Sequence, residues 1–398
     1  MAYDLIMIGG GLGGAALARV MAQAGAKVLV IERAEEFTDR NRGEWLAPWG
    51  VADAKKLGIY EALMAGGAHE LPFFTVYGVG ADPIRMPLQQ LSQSGELSLG
   101  FYHPDVQTSL LTAAEDAGAE VLRGTAVRGL ERGGEGVTVS YQNGSVKSVD
   151  GRFVVGADGR DSVARSWAGI DVVRGPQGRL GAGVILESVD VDPESGHIWR
   201  DFSRGCRALF FPQGPDHGRA YLTYPPDELP RLNGHEDWGA FSDESTKMGV
   251  PDTAYGSATV RGSLTTLDMT ERWVDEPYQG HVAMIGDAAG ATDPTHGQGM
   301  SITFRDVVAL SDALKSHDDW DEAGHAYSES HNRDFRSLKT YLDWADELQY
   351  AIGPEADARR DHAGQLWRED PARNPMMILN GPFKVPTELD RQRYFGEV

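Results

Sequence analysis

The chain opens with a short apolar run, Tyr3 to Ile8, that breaks into Gly9-Gly10-Gly11-Leu12-Gly13-Gly14, and few folds accept such a start. A run of this kind suits a buried parallel strand. Gly9, Gly11 and Gly14 are spaced G-x-G-x-x-G. The first permits a tight turn, the second lets backbone approach a pyrophosphate, and the third lets helix close on strand. Ala15 to Ala24 then reads as a small-residue helix, with Leu12 and Gly13 in the turn before it and its N-terminal N–H groups facing the phosphates. A second strand, Lys27 to Ile31, ends at Glu32-Arg33. That is about twenty residues on, where an acid hydrogen-bonds a ribose hydroxyl. Glu32 suits the unphosphorylated adenosine ribose of FAD or NAD, and this segment alone leaves the two open.

Two further segments repeat the logic. Phe153-Val154-Val155 is a buried strand followed by Gly156-Ala157-Asp158-Gly159, a turn whose carboxylate can take a hydroxyl or order the loop, and Ser162 and Arg165 complete D-G-x-x-S-x-x-R. Val282 to Ile285 is another short strand, and Gly286-Asp287 places a carboxylate at its C-terminal end, where ligands of open α/β sheets sit. In the loop beyond, Pro294 adds stiffness, while Gly297 and Gly299 let backbone N–H groups approach a ligand. A helix is expected over Met300–Leu314, its positive dipole end at that loop.

Composition narrows the class. At 398 residues the chain holds about two to three domain-sized units. Cys206 is the single cysteine, expected to be a buried small apolar residue, so neither a disulfide framework nor a multi-cysteine metal site is available, and no metal is expected. This fits a reducing cytoplasm. The N-terminal run is a strand rather than a signal peptide. No apolar stretch approaches the ~20 residues of a membrane span. The net charge of −22 is spread along the chain and argues against nucleic acid and anionic membranes as partners.

Between the three segments the texture changes. Phe73–Met86 and Leu180–Tyr224 alternate apolar and polar residues as antiparallel strands do, most clearly in Gly183–Val191, Arg207–Phe211 and Arg219–Tyr224. Pro104–Ala117 has helical periodicity, a strand follows at Glu120–Leu122, and a hairpin is expected over Thr125–Val149, turning at Asn143-Gly144. The chain beyond Gly299 reads as helical to about Tyr350, and from Gly353 as a charged, Pro-rich tail. The expected fold is α/β: a Rossmann-like FAD-binding domain from residues 1–72, 100–178 and 266–318, a mostly antiparallel substrate-binding sheet from 73–99 and 179–265, and a C-terminal helical segment and tail over 319–398.

In these three motifs the chain resembles the class A FAD monooxygenases, the para-hydroxybenzoate hydroxylase family, over roughly residues 3–345. The resemblance implies that Gly9, Gly11, Leu12, Gly13, Gly14, Glu32 and Arg33 hold the ADP half of FAD. It places Arg42 near the phosphates and ribityl chain, Asp158 at both FAD and NAD(P)H, Gly286 and Asp287 on the ribityl chain, and Pro294 to Met300 at the isoalloxazine. His103 stands where the family commonly has an Arg or Gln contacting FAD; Gly290 replaces a frequent His, and Ser301 a frequent Asn. The implied activity uses NADH or NADPH and O₂ to hydroxylate or epoxidise an aromatic or other electron-rich small molecule through a flavin C(4a)-hydroperoxide.

Pro294, His296 and Gly297 are the catalytic candidates: backbone to position oxygen, and a histidine to act as base or substrate donor. Trp45, Phe211, Tyr221, Tyr224 and His296 are the candidates facing substrate. No Arg/Tyr pair announces a carboxylate clamp, so a benzoate is not the expected substrate. Flavin-dependent halogenases and prenyl-chain reductases share the three clamps and give alternative reactions on the same fold, but the halogenase W-x-W-x-I-P signature is absent. A non-catalytic flavin carrier is the remaining alternative. Oligomeric state has no sequence signal.

Overall fold

The protein is described by a computed structural model covering residues 2–78, 82–134 and 136–398. Residues 79–81 of the strand pair expected over Phe73–Met86, and residue 135 of the expected hairpin, lie outside the described residues. An eight-stranded sheet gathers stretches that are far apart in sequence. Tyr3–Ile8 lies at its centre, flanked on one side by Val28–Ile31 and Glu120–Leu122, and on the other by Ser145–Gly156 and Val282–Met284, all parallel. Alternate residues explain why these runs are wholly apolar. Leu5, Met7, Val28, Val30, Phe153 and Val155 pack toward helices Leu12–Gln23, His103–Asp116 and Gly299–Ser316, while Ile6, Ile8, Leu29, Ile31 and Val154 pack the opposite face.

The expected single hairpin is a three-strand meander, Ala126–Arg132, Val137–Asn143 and Ser145–Gly156, turning tightly at Gly144 (φ +74°). The last of these runs on into the Phe153–Val155 strand, changing from an antiparallel to a parallel partner along its length.

The second sheet has seven strands in the order Thr259–Asp268, Leu180–Glu187, His217–Tyr224, Cys206–Pro212, Ser195–Asp201, Phe73–Gly78, Ile84–Pro87. Only Ser195–Asp201 with Phe73–Gly78 is parallel. The strand expected to run to Val191 stops at Glu187, because Ser188 takes φ +61°. One face, with Ala182, Val184, Trp199, Phe210, Leu222 and Tyr224, packs on Phe241 of helix Trp238–Lys247 and on Tyr255. The other face looks toward the first sheet's ligand edge.

After helix Gly299–Ser316 comes a 31-residue helix, Trp320–Tyr350. The segment from Gly353 is more structured than its composition suggests. It forms helices Pro354–Glu369, Met377–Asn380 and Glu388–Phe395, and Ala363, Met377, Leu379, Tyr394 and Phe395 join one apolar cluster with Trp45, Trp49 and Phe211. Cys206 is buried, and burial pushes its thiol up to about 12. Among the described residues no helix is long and apolar enough to cross a membrane.

Candidate functional site

The register of the first sheet brings the three glycine segments to one edge. Ile8 lies opposite both Ile31 and Gly156, and Gly156 lies opposite Met284, so the turns that follow these strands emerge side by side. This edge is the topological switch point of the sheet, the usual ligand position of such folds. Two of the glycines there are sterically obligatory. Gly9 has φ +104°, and a Cβ on it would lie 2.6 Å from the Ala157 carbonyl oxygen; a Cβ on Gly14 would lie 2.0 Å from that of Gly9. Glu32 spans the turn, its Oε2 accepting from Gly10 N (2.7 Å) and its Oε1 from Ala34 N (2.8 Å). Arg33 is exposed at the edge.

Asp158 orders its own loop. Its Oδ2 accepts from Val163 N and Ala164 N at the start of helix Val163–Trp167, and Ser162 Oγ accepts from Arg165 N. The Arg165 guanidinium then donates to the Ala288 carbonyl (3.0 Å), tying the middle segment to the third. The Gly286-Asp287 turn is held from beneath: Gly286 N donates to Asp306 Oδ2 (2.8 Å), and Asp306 Oδ1 pairs with His331 Nδ1 (2.7 Å). Asp287 itself is exposed, its Oδ1 facing Gly299 at the start of helix Gly299–Ser316. The crowding of protein around it raises its carboxyl pKa, against the pull of Arg42 and Arg160. Arg42, lowered mainly by burial and next by Arg40, feels the opposing charges of Asp287, Glu32 and Glu44.

His103 is the first residue of helix His103–Asp116 and is buried. Burial, then the Arg42 charge, depress its imidazole to about 3, so it is neutral at ordinary pH. Among the described residues its Nδ1 has no partner. One helical turn on, Gln107 meets the glycine turn, with a Gly11 Cβ direction ending 3.4 Å from Gln107 Nε2. Sequence reasoning fixed on His103 and passed over Gln107, although i and i+4 share a helix face.

The loop beyond Asp287 is pinned on every side. Asp293 Oδ1 accepts from Thr295 N (2.8 Å), and Arg179 donates to Asp293 (2.7 Å) and Asp346 (3.0 Å). His296 Nε2 lies 2.6 Å from Asp346 Oδ1. Burial alone would raise Asp346, yet His296 and Arg179 together hold its carboxyl well below the usual carboxylate range. Gln298 Nε2 donates to the His296 carbonyl, while Trp49 Nε1 donates to Gln298 Oε1. Gly297, at φ +67°, is seated against the Trp45 ring, 2.6 Å from where its Cβ would be.

Pro294 to Gly297 form part of the wall of a cavity of about 190 Å³ whose other walls are largely apolar. Trp45, Phe211 and Tyr221 line it, and Trp45 stacks on Phe211 at 6.0 Å. Tyr221 donates its hydroxyl to the Arg42 carbonyl. Tyr224 is the correction: it is fully buried on the opposite face, its hydroxyl donating to the Pro230 carbonyl. Three residues along a strand reverse the side-chain direction, so Tyr221 and Tyr224 cannot both face one cavity. The strand bearing Trp45 is anchored by Glu44, fully buried, which accepts from Arg219 Nε (2.6 Å), His103 N (3.0 Å) and Gln213. Met376, Ile378 and Leu379, from beyond Gly353, close one side of the cavity.

Comparison with known proteins agrees with this architecture. The FAD binding domain family model matches residues 2–319. The chain is 28% identical over 334 residues to a probable 2-heptyl-3-hydroxy-4(1H)-quinolone synthase of Rhodococcus erythropolis, covering 80% of this chain and 82% of the relative. It is 26% identical over 385 residues to 3-hydroxybenzoate 6-hydroxylase of Polaromonas naphthalenivorans, covering 92% and 91%. The p-nitrophenol 4-monooxygenase of Pseudomonas putida superposes with a TM-score of 0.79 at 19% identity, over 95% of this chain and 98% of that one. With a matched model across most of its length, the chain belongs to the FAD binding domain family and is an oxidoreductase of the class A flavin monooxygenase type.

Proposed function

We propose that the protein is an FAD-dependent monooxygenase that spends NADH or NADPH and O₂ to hydroxylate an aromatic or similarly electron-rich small molecule. The observation that carries this reading is the shared cavity: the Pro294–Gly297 loop and the aromatic face of the second sheet wall the same apolar space. The sheet edge suits FAD. Gly9 and Gly14 admit no Cβ, Gln107 adjoins Gly11, and the Asp287 carboxylate stands exposed beside a helix N-terminus. In this reading Gly9 to Gly14, Glu32, Arg33 and Gln107 hold the ADP half, Arg42, His103 and Asp158 flank the phosphates, and Gly286, Asp287, Gly299 and Met300 hold the flavin half. When bound, FAD supplies the redox chemistry, taking hydride from the nicotinamide and activating O₂.

The chain's own contribution is positioning and exclusion of water. The first turn of helix Gly299–Ser316 directs N–H groups at charge developing nearby, whereas the Gly297 N–H is already given to the Pro294 carbonyl (2.9 Å). Trp45, Phe211 and Tyr221 hold a flat ring and keep water away. His296 would take a proton from a substrate hydroxyl, its ring oriented by Asp346, itself kept ionised by Arg179. The test is nicotinamide oxidation in air by FAD-loaded protein across a panel of phenols and polycyclic aromatics, with products and peroxide quantified. Ligand-stimulated oxidation yielding a product heavier by one oxygen supports the reading; turnover of alkenes to alkanes without matching O₂ uptake would replace it with a reductase.

A further inference from the structure

The cavity-facing side of the second sheet carries two arginines that the proposed reaction leaves without a role. Arg200 and Arg207 sit directly opposite each other on neighbouring antiparallel strands, and both line the cavity. Like charges in that relation repel. Among the described residues neither has a carboxylate within ion-pair distance. The nearest acids are already taken, since Arg179 bridges Asp293 and Asp346. Arg207 is 3% exposed and uses one terminal nitrogen on Gln349 Oε1 (2.5 Å), its guanidinium 4.1 Å from the centroid of the Tyr350 ring. Arg200 makes no side-chain hydrogen bond among the described residues, and its Nε is sealed with no acceptor. The Tyr350 hydroxyl is likewise buried, with no partner among the described residues. Burial first, and then the charge on Arg207, bring Arg200 down to about 10, still protonated at ordinary pH.

Two guanidiniums held in a mostly apolar wall with no counter-ion cost the fold stability. A ligand that brings the missing negative charge recovers that cost. The planar fork of arginine matches a carboxylate in bidentate geometry, which a neutral amide or ester does not complete. We propose that Arg200 and Arg207, backed by Gln349 and Tyr350, form an anion subsite that receives the carboxylate of an aromatic acid substrate. The ring of that acid then lies between this pair and the Pro294–Gly297 loop, in the space lined by Trp45, Phe211 and Tyr221. The subsite deepens the monooxygenase reading and rests on it only for calling the ligand a substrate.

The test titrates the FAD-loaded enzyme with 4-hydroxyphenylacetate and 4-hydroxycinnamate, each against its primary amide, following the flavin absorbance spectrum. The acids bind wild type at least about ten-fold more tightly than the amides. Arg200→Met and Arg207→Met weaken acid binding by about 100-fold and leave amide binding unchanged, while Arg200→Lys keeps part of the preference. Both methionine variants retain flavin and unfold no earlier than wild type, because each removes an uncompensated cation; a purely structural arginine would lower the midpoint and weaken acid and amide alike. Equal affinity for acid and amide, no spectral response to either acid, or an acid preference that survives both methionine variants overturns the subsite. Arginine-dependent acid binding with no oxygen in any product would leave the subsite standing and defeat the monooxygenase reading. Oxygenated neutral compounds with no arginine dependence would do the reverse.

Discussion

Gly297→Ala places a single methyl group where the structure has no space for it, and its cost can be worked from two terms. The backbone there is left-handed, φ +67°, which costs a residue with a Cβ roughly 1–2 kcal/mol. The new Cβ would also stand 2.6 Å from Trp45 Cε3, a ring that is 3% exposed and packed against Phe74 and Phe211. A clash with a side chain so confined adds about 1–3 kcal/mol. The sum, about 2–5 kcal/mol, falls on the loop that carries Pro294 and His296. Gly299→Ala is the matched control. Its backbone is ordinary and the nearest atom to a new Cβ is Asp287 Oδ1 at 3.7 Å, a normal contact, so stability should hold or rise slightly with helix propensity. Denaturant unfolding of both variants, paired with a fluorescence titration of apoprotein with FAD, reads the difference. The expected result is an earlier unfolding midpoint and weaker FAD binding for Gly297→Ala, with no loss of midpoint for Gly299→Ala. Equal midpoints for Gly297→Ala and wild type would refute the steric reasoning, since neither term depends on what the enzyme does.

Asp287→Ala should reduce FAD retention, read as the ratio of flavin to protein absorbance after gel filtration, while circular dichroism stays unchanged; full occupancy would mean the third segment is misassigned. Asp346→Asn removes a carboxylate whose folded pKa is depressed. Its stabilisation is therefore full above the unfolded carboxylate value of about 4 and fades as pH falls toward the folded value, so the stability gap between variant and wild type should close in acid. A gap that persists unchanged at low pH would remove the His296–Asp346–Arg179 linkage. Glu44→Ala strands Arg219, which is 1% exposed and left with Asp39 alone, and should destabilise the protein by about 3–5 kcal/mol in chemical unfolding. Tyr221→Phe should weaken FAD binding by freeing the Arg42 carbonyl, whereas Tyr224→Phe should leave flavin and ligand titrations untouched.

Parts of this molecule were legible because their physics is local. The turn from Ile8 through Gly14 tolerates only glycine at two positions for reasons contained within a few residues of chain and one neighbouring strand, and the spacing announces it. The same holds for Asp158-Gly159 and Gly286-Asp287, whose strands end in register, so three separate readings converged on one sheet edge. The helix beginning at Gly299 and the alternation of the second sheet were equally open to inspection.

What stayed hidden is the set of partners that arrive from far along the chain. His296 was identifiable as a histidine in the flavin loop, but Asp346, which orients it, lies 50 residues away on a helix whose phase cannot be referred to that loop without the fold. Tyr221 and Tyr224 show the limit most sharply. Strand periodicity alone says that only one of them faces the ligand, and no local signal says which. The answer comes from Ala220 and Leu222, which share the Tyr224 face and meet Phe241 and Tyr255 from a later segment, leaving Tyr221 to the cavity. Arg200 and Arg207 are invisible for the same reason: seven residues apart in sequence, they read as ordinary surface cations until the hairpin register sets them opposite each other. The Gly353–Val398 segment, read as a tail from its charge and prolines, completes the enclosure by supplying Met376, Ile378 and Leu379. Each of these contacts is set by the pairing of whole elements, and a cavity assembled that way can change its ligand through residues outside the three flavin motifs. That is why the motifs determine the cofactor while the proposed anion-binding pair selects the substrate.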